Sequence, residues 1–296
     1  MINRILDFAD TPARLSVRYA QLVVQREAQP DVTIPLAETA VLLVAHPQVS
    51  YTQAVLSGLA EAGGAFVACN RQMLPVGMFL PLVAHHAQTE RFSAQARARA
   101  PLRKRLWRQL VRSKIRAQAA ALESLYGTDA GLRCLVCRVR SGDPSNVEAR
   151  AARRYWPRLF ADAAFRRNPD NQDQNLLLNY GYAVLRAIVA RAICAAGLHP
   201  SLPLHHHNRY NAYCLADDLM EPFRPTVDRA VVDYVTERGP VTMIDGPAKQ
   251  HIIGEITGRY LIGGQQRTIF DVATRLAASL ADTFLGQCDR LELPDW

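Results

Sequence analysis

The stretch 205–224, HHHNRYNAYCLADDLMEPFR, carries the features that decide both the fold and the chemistry of this chain. Three histidines lead into a run of helical periodicity. In this run Asp217 and Asp218 are adjacent, and Glu221 follows them by four and three residues. This spacing places the three carboxylates on one side of a helix. The apolar residues of the run recur every fourth position and predict its buried side: Leu215, Leu219, Phe223 and Val227.

Histidines beside carboxylates form a ligand set for a divalent cation that accepts both nitrogen and oxygen, such as Mn²⁺ or Mg²⁺. A simpler interpretation is also open. An acidic cluster in the first turns of a helix is typical of a solvated face that suits the helix dipole, and a run of histidines is typical of a loop. The stretch 205–224 by itself does not separate a metal site from a solvated surface.

Length and composition predict a globular protein with a polyanionic partner. The 296 residues suffice for one large domain or two smaller ones, and 49% of them are hydrophobic. Lys and Arg outnumber Asp and Glu by 35 to 27, which gives a net charge of +8. The six cysteines are scattered, and the C-x-x-C of Cys134 and Cys137 lacks the second pair that zinc would need. With no signal-peptide pattern and no apolar run of membrane length in the sequence, we expect a cytoplasmic protein.

Two kinds of periodicity predict an α+β fold, with a small amino-terminal β domain (1–85) and a larger all-α domain (86–296). The first region alternates apolar and polar residues in short segments, as strands do, around one helix at about 52–62. In the second region, glycines occur at positions where helices are expected to end. Its predicted helices are at about 101–126, 131–141, 144–161, 172–197, 212–237 and 248–286, the last split by Gly263 and Gly264.

The segment 91–116 contains ten basic residues and no acidic one. A solvated helix normally mixes charges and gains from pairs four residues apart, so this excess of like charge favours a nucleic-acid partner. Trp107 either stacks on a base or is buried among its apolar neighbours Leu106, Leu110 and Ile115. We expect nucleic-acid phosphates to bind Arg103, Lys104, Arg105, Arg108 and Arg112.

The segment 143–160, DPSNVEARAARRYWPRLF, begins with helix-start signals. Asp143 or Ser145 can cap the helix, Pro144 suits its first turn, and Glu148 lies within that turn. Glu148 is then either a residue that favours the dipole and pairs with arginine, or one carboxylate of a metal site for phosphate chemistry. Three arginines close by are expected to hold Glu148 ionised and to contact phosphates: Arg150, Arg153 and Arg154.

Three spaced segments resemble the consecutive signatures of the CRISPR-associated adaptation integrase family, in its type II form. They are SGDPSNVEARAARRYW (141–156), LNYGYAVLRAIVARAICAAGLHP (178–200) and HHHNRYNAYCLADDLMEPFRPTVD (205–228). The segment NRQMLPVGMFLP (70–81) is similar to the amino-terminal domain of that family. The resemblance covers nearly the whole chain, and the spaced set is more specific than any one motif.

The resemblance implies a β domain that forms a homodimer and a helical domain that holds one Mg²⁺ or Mn²⁺ ion. By motif, the implied metal ligands and catalytic residues are Glu148, His206 and Glu221. The single histidine of the family has three counterparts, 205–207, of which the distance to the DLMEP segment favours His206. Asp218 is expected to orient a metal ligand or to position the helix.

The implied reaction is attack by the 3′-hydroxyl of a captured DNA fragment on a phosphodiester of the CRISPR repeat. Implied partners are double-stranded DNA, a small second CRISPR adaptation protein that bridges two dimers, the RNA-guided type II effector and an accessory protein. Two other functions fit the same residues. One is a basic DNA-binding scaffold without catalysis, and the other is a metal-dependent nuclease of branched or single-stranded DNA.

Overall fold

The computed structural model describes residues 3–70, 75–162, 164–239 and 241–296. The predicted α+β class is confirmed, with a β-rich amino-terminal part and a mainly helical remainder. Within the described residues the first part comprises β1 (Arg4–Phe8), β2 (Arg14–Arg18), β3 (Gln21–Gln25), β4 (Val32–Pro35), β5 (Thr39–Val44), β6 (Ser50–Tyr51), α1 (Gln53–Glu61), β7 (Ala65–Cys69) and β8 (Pro75–Phe79). The position of the boundary at residue 85 stays a prediction. Leu74, the first residue of the last predicted strand, lies outside the described residues.

The strands form two four-stranded sheets, with the orders β1-β5-β7-β8 and β4-β3-β2-β6. After Thr39, β5 is apolar because its two faces pack into different cores. Leu42 joins a small core beneath the second sheet, whereas Val41 and Leu43 join the large core of the helical part. The period of two along a strand thus connects the amino-terminal part to the helices.

The helical part comprises α2 (Gln88–Ala96), α3 (Ala100–Tyr126), α4 (Arg133–Val136), α5 (Val147–Leu159), α6 (Asn175–Ala195), α7 (Cys214–Met220), α8 (Arg224–Arg238), α9 (Gly246–Ile256) and α10 (Ile269–Phe284). The long helix α3 ends where predicted, because Gly127 adopts the left-handed conformation with φ of 70°. The helix predicted at 131–141 is limited to α4, and α2 was not predicted.

Two predicted helices are interrupted. The helix predicted at 212–237 breaks at a 3₁₀ turn, Glu221–Phe223, since Pro222 has no N–H to donate to the preceding turn. The helix predicted at 248–286 is split by a hairpin of β9 (Arg259–Ile262) and β10 (Gln265–Thr268). Gly263 and Gly264 have positive φ and form its turn instead of a break between helices.

α6 corrects the expectation that no apolar run reaches the length of a membrane span. By length and composition alone, its 21 residues would be enough to cross a membrane. The helix is nevertheless the centre of the core, since 83% of its most apolar window is buried inside the protein. It packs against α7, α8, α9, α10 and β5.

Candidate functional site

The ammonium group of Lys114 lies between two of the predicted metal ligands. Its Nζ is 2.6 Å from Oε1 of Glu148 and 2.5 Å from Oε2 of Glu221. These residues come from α3, the first turn of α5 and the 3₁₀ turn Glu221–Phe223, so three distant segments converge here. The side chains of Lys114 and Glu221 are only 13% and 5% exposed. Two carboxylates therefore share one partly buried cation.

A second cation, Arg224, completes the charge balance at Glu221. Its Nε lies 3.0 Å from Oε1 of Glu221. Burial raises the pKa of Glu221, but Arg224 and Lys114 outweigh this effect and hold its pKa at about 2. Burial likewise lowers the pKa of Lys114, and Glu221 and Glu148 more than reverse the shift. Glu221, Lys114 and Arg224 are therefore charged at neutral pH.

The helix α5 positions Glu148 through the cap at its start. Asp143, one of the two predicted caps, accepts hydrogen bonds from the backbone N–H groups of Val147 and Glu148, both at 2.9 Å. Pro144 lies before the helix instead of in its first turn. The cap fixes the backbone from which the Glu148 side chain reaches Lys114.

Asp218 organises the histidine segment, defined here as residues 204–207. It is fully buried, and its carboxylate accepts backbone hydrogen bonds from Leu204, His205 and His206 at 2.7, 2.9 and 3.2 Å. Its Oδ1 also lies 2.6 Å from Nδ1 of His206. Asp218 raises the pKa of His206, against the opposite effect of burial. Because Nδ1 donates to Asp218, the neutral His206 ring keeps its lone pair on Nε2.

The three histidines have different surroundings. His205 stacks on the buried Trp107, with ring centroids 4.3 Å apart and an angle of 4° between the rings. His207 contacts the carbonyl oxygen of His205 through its Nδ1. His206 is the one whose pKa is raised by both Glu221 and Glu148, in addition to Asp218. Trp107 is thus buried, as one of the two predictions for it required, and it supports the histidine segment.

The predicted ligands Glu148, His206 and Glu221 are neighbours, yet they do not form a preassembled metal site. No group of three or more His, Cys, Asp and Glu side chains in the described part of the chain is arranged to hold a metal ion. The donor chemistry nevertheless fits Mg²⁺ or Mn²⁺. Two carboxylates already surround a cation, and His206 keeps Nε2 free. The buried Oε2 of Glu221 makes no hydrogen bond of good geometry within the described residues, although it faces Lys114.

The arginines expected to hold Glu148 ionised form no ion pair with it within the described residues. In the described part of the chain, Glu148 pairs with Lys114 and not with Arg150, Arg153 or Arg154. Arg153 and Arg154 are exposed, and Arg154 donates to the carbonyl oxygen of Gly131 at 3.4 Å. The reason is the geometry of the helix, because residues two, five and six positions after Glu148 do not all lie on its face.

The basic residues predicted on α3 are divided between surface and structure. Lys104 and Arg105 are exposed, whereas Arg103 and Arg108 are half-buried. Arg112 donates to the carbonyl oxygen of Val139 at 3.0 Å, so it also ties α3 to the segment after α4. Their contact with DNA stays a prediction.

A cavity of about 230 Å³ opens beside the Lys114 bridge. It is lined by Lys114, Gln118, Ala152, Trp156, Arg167, Tyr182, Glu221, Arg224, Pro225 and Asp228. Sequence reasoning missed most of these residues. Gln118 had a usable signal, since it follows Lys114 by one helical turn on the same face. Its Oε1 is buried without a hydrogen-bond partner in the described part of the structure.

Asp228 is the second buried carboxyl group at this cavity. It accepts hydrogen bonds from the hydroxyls of Tyr155, at 3.0 Å, and Tyr182. Burial raises the pKa of Asp228 to about 6, although both tyrosines and Arg224 act in the opposite direction. It is therefore ionised at neutral pH at a cost in stability.

The chain is similar to proteins of one kind across nearly its whole length. The family model described as CRISPR associated protein Cas1 matches residues 8–141 and 142–242. The CRISPR-associated endonuclease Cas1 of Neisseria meningitidis serogroup C is 40% identical over 287 residues, which cover 95% of this chain and 93% of that protein.

Two solved structures have the same fold. A casposase bound to integration product superposes with a TM-score of 0.80 at 17% identity, covering 99% of this chain and 93% of that one. A Cas6-RT-Cas1–Cas2 complex gives a TM-score of 0.77 at 18% identity, covering 99% of this chain and 36% of the matched chain. At such identities the likeness concerns the fold alone.

Proposed function

The chain belongs to the Cas1 family of CRISPR-associated proteins, and we propose that it is a metal-dependent integrase that inserts DNA fragments into a CRISPR array. The family supports a nuclease or integrase of spacer acquisition. In the proposed reaction, the 3′-hydroxyl of the fragment attacks a phosphodiester of the repeat. One phosphodiester bond forms as another breaks, and the departing 3′-oxygen takes up a proton.

The observation that carries the proposal is the convergence of Glu148 and Glu221 on one cation, with His206 beside them. These three residues would hold Mg²⁺ or Mn²⁺. Such an ion, when bound, supplies positive charge that stabilises the phosphate in the transition state and helps to orient the hydroxyl.

The protein's own groups prepare this chemistry. Arg224 keeps Glu221 ionised, and Asp218 fixes the ring of His206 with Nε2 free. The cavity beside the carboxylates carries the guanidinium groups of Arg167 and Arg224, which suit a phosphate. The exposed cations of α3 would bind the DNA backbone without reading its sequence.

The proposal includes partners that supply sequence selectivity. One similar structure is a complex that contains Cas2, which supports a small second adaptation protein as partner. A homodimer formed by the amino-terminal domain, a cytoplasmic location, and the RNA-guided effector and accessory protein of a type II system belong to the same proposal. They rest on the sequence resemblance.

The test combines the purified protein and its small partner with a short duplex bearing 3′-hydroxyls and a supercoiled repeat plasmid. We expect covalent attachment of the duplex with Mn²⁺ and none with a chelator. Glu148→Gln and Glu221→Gln should abolish attachment and leave DNA binding largely intact. Joining that survives both substitutions would mean that these carboxylates are structural, as the scaffold alternative requires, and that the joining chemistry lies elsewhere in the mixture. Nicking of the plasmid without attachment would favour the nuclease.

A further inference from the structure

The ammonium group of Lys114 occupies the place between Glu148 and Glu221 that a metal ion would need. We propose that Lys114 is a built-in counterion, which holds the two carboxylates together in the metal-free protein and moves to Gln118 when a divalent cation binds. This inference rests on the metal dependence of the proposed function. It concerns a residue that the proposed reaction does not require as a ligand.

The two carboxylates need a cation at all times. Glu221 is 4% exposed and Glu148 is partly buried, so bringing them together without a positive charge would be strongly unfavourable. Lys114 supplies that charge from α3, where buried neighbours on the same helix fix its backbone: Leu110, Val111 and Ile115. The site is thereby kept folded before metal enters.

A divalent cation and the ammonium cannot share this place. Glu148 and Glu221 would hold the cation where they now hold the ammonium, and the repulsion between two positive charges is large in a partly desolvated site. Metal binding therefore requires the ammonium to leave. Arg224 contacts the other oxygen of Glu221, Oε1, and need not move.

Gln118 offers the departing ammonium a partner. It lies four residues after Lys114 on the same face of α3, within reach of a flexible lysine side chain. Gln118 is 3% exposed, and its Oε1 has no hydrogen-bond partner among the described residues. Both residues line the same cavity of about 230 Å³. A buried acceptor without a partner is costly, so an ammonium that arrives there removes a penalty already present.

Lys114 already lines this cavity, but its charge is paired with Glu148 and Glu221. After the move that charge would no longer be paired with them, and it would add to the charges of Arg167 and Arg224. Metal binding would thus make the cavity more attractive to a substrate phosphate. The divalent cation would therefore bind first and the substrate phosphate second.

Mn²⁺ binding to the full-length protein, measured by calorimetry and by the loss of the free Mn²⁺ resonance signal, tests the exchange without any activity readout. Lys114→Met should bind Mn²⁺ about tenfold more tightly, since the competing ammonium is gone. In chelator it should melt at a lower temperature than the wild type, and Mn²⁺ should raise its melting temperature more. Lys104→Met, at an exposed lysine of the same helix, is the matched control and should bind Mn²⁺ and melt as the wild type does.

Gln118→Leu tests the receiving position and does not depend on the folding of the first variant. In the wild-type background it should weaken Mn²⁺ binding several-fold, whereas in Lys114→Met it should have no effect. Equal Mn²⁺ affinity of Lys114→Met and wild type, or weaker binding by the variant, would overturn the exchange. If Mn²⁺ binds the wild type but Glu148→Gln and Glu221→Gln leave its affinity unchanged, the metal site of the proposed function fails as well.

Discussion

Nδ1 of His206 lies 2.6 Å from Oδ1 of Asp218, and the Asp218 carboxylate also accepts three backbone N–H groups of the histidine segment. One buried carboxylate therefore sets both the path of this segment and the orientation of the imidazole. The free nitrogen, Nε2, is the one that a metal ion could use.

Asp218→Asn should disturb both the path of the histidine segment and the orientation of the His206 ring, because an amide NH₂ would face backbone donors that need an acceptor. We expect a loss of at least about 2 kcal/mol in the free energy of unfolding, measured with urea. Mn²⁺ affinity should fall by about 10- to 100-fold. Asp217→Asn is the control, since Asp217 binds Arg186 and Asn211 instead of His206. Unchanged metal affinity in Asp218→Asn would refute the orienting role.

Glu221→Gln should destabilise the metal-free protein, because it leaves the partly buried charges of Lys114 and Arg224 with too little negative charge. The expected loss is about 3–5 kcal/mol at neutral pH. The folded-state pKa of Glu221 is about 2, below the ordinary value of 4.5. Its contribution is therefore complete above pH 4.5 and is lost as the pH falls towards 2.

Urea unfolding across that pH range checks the Glu221 prediction. Glu255→Gln is the matched control, because Glu255 pairs with Arg229 at 3.0 Å but both side chains are more than a third exposed. It should cost less than about 1 kcal/mol. Equal losses in the two variants would show that burial does not strengthen the Glu221 contribution.

Asp228→Asn should gain stability relative to the wild type as the pH rises. The folded-state pKa of Asp228 is raised from 3.8 to about 6, so the folded protein binds the extra proton between these values. Wild-type stability therefore falls through this window, by about 3 kcal/mol for a shift of this size. The amide does not titrate and escapes this loss. A difference between variant and wild type that stays constant from pH 4 to about pH 7.5 would contradict the assignment.

Neutralising the cations near the start of α3 should flatten the salt dependence of DNA binding. The variant replaces four residues with Gln: Arg103, Lys104, Arg105 and Arg108. Each lost phosphate contact should reduce the slope of log affinity against log salt by about 0.9. Arg112 is left in place because it holds the carbonyl oxygen of Val139.

The control for the α3 variant removes the same charge from exposed arginines elsewhere. These are Arg14, Arg18, Arg259 and Arg290. An equal change of slope in the two variants would mean that net charge alone, and not the α3 surface, governs DNA binding.

Local pattern was enough for much of the fold. The alternation of apolar and polar residues predicted β2 and β3. The apolar residues at every fourth position, Leu215, Leu219 and Phe223, were predicted to be buried, and all three are. Spaced motifs were enough for the family. Errors occurred where one residue interrupts a pattern, as Pro222 does in the helix predicted at 212–237.

The sequence by itself determined the α+β class, the buried faces and the family, because these depend on neighbours a few residues apart and on the spacing of motifs. Only the tertiary structure gave Lys114 its role. In the sequence it is one of ten basic residues, yet packing places it against carboxylates 34 and 107 positions away. Ion pairing depends on how distant segments dock, and the charge of a residue does not reveal which partner the fold brings to it.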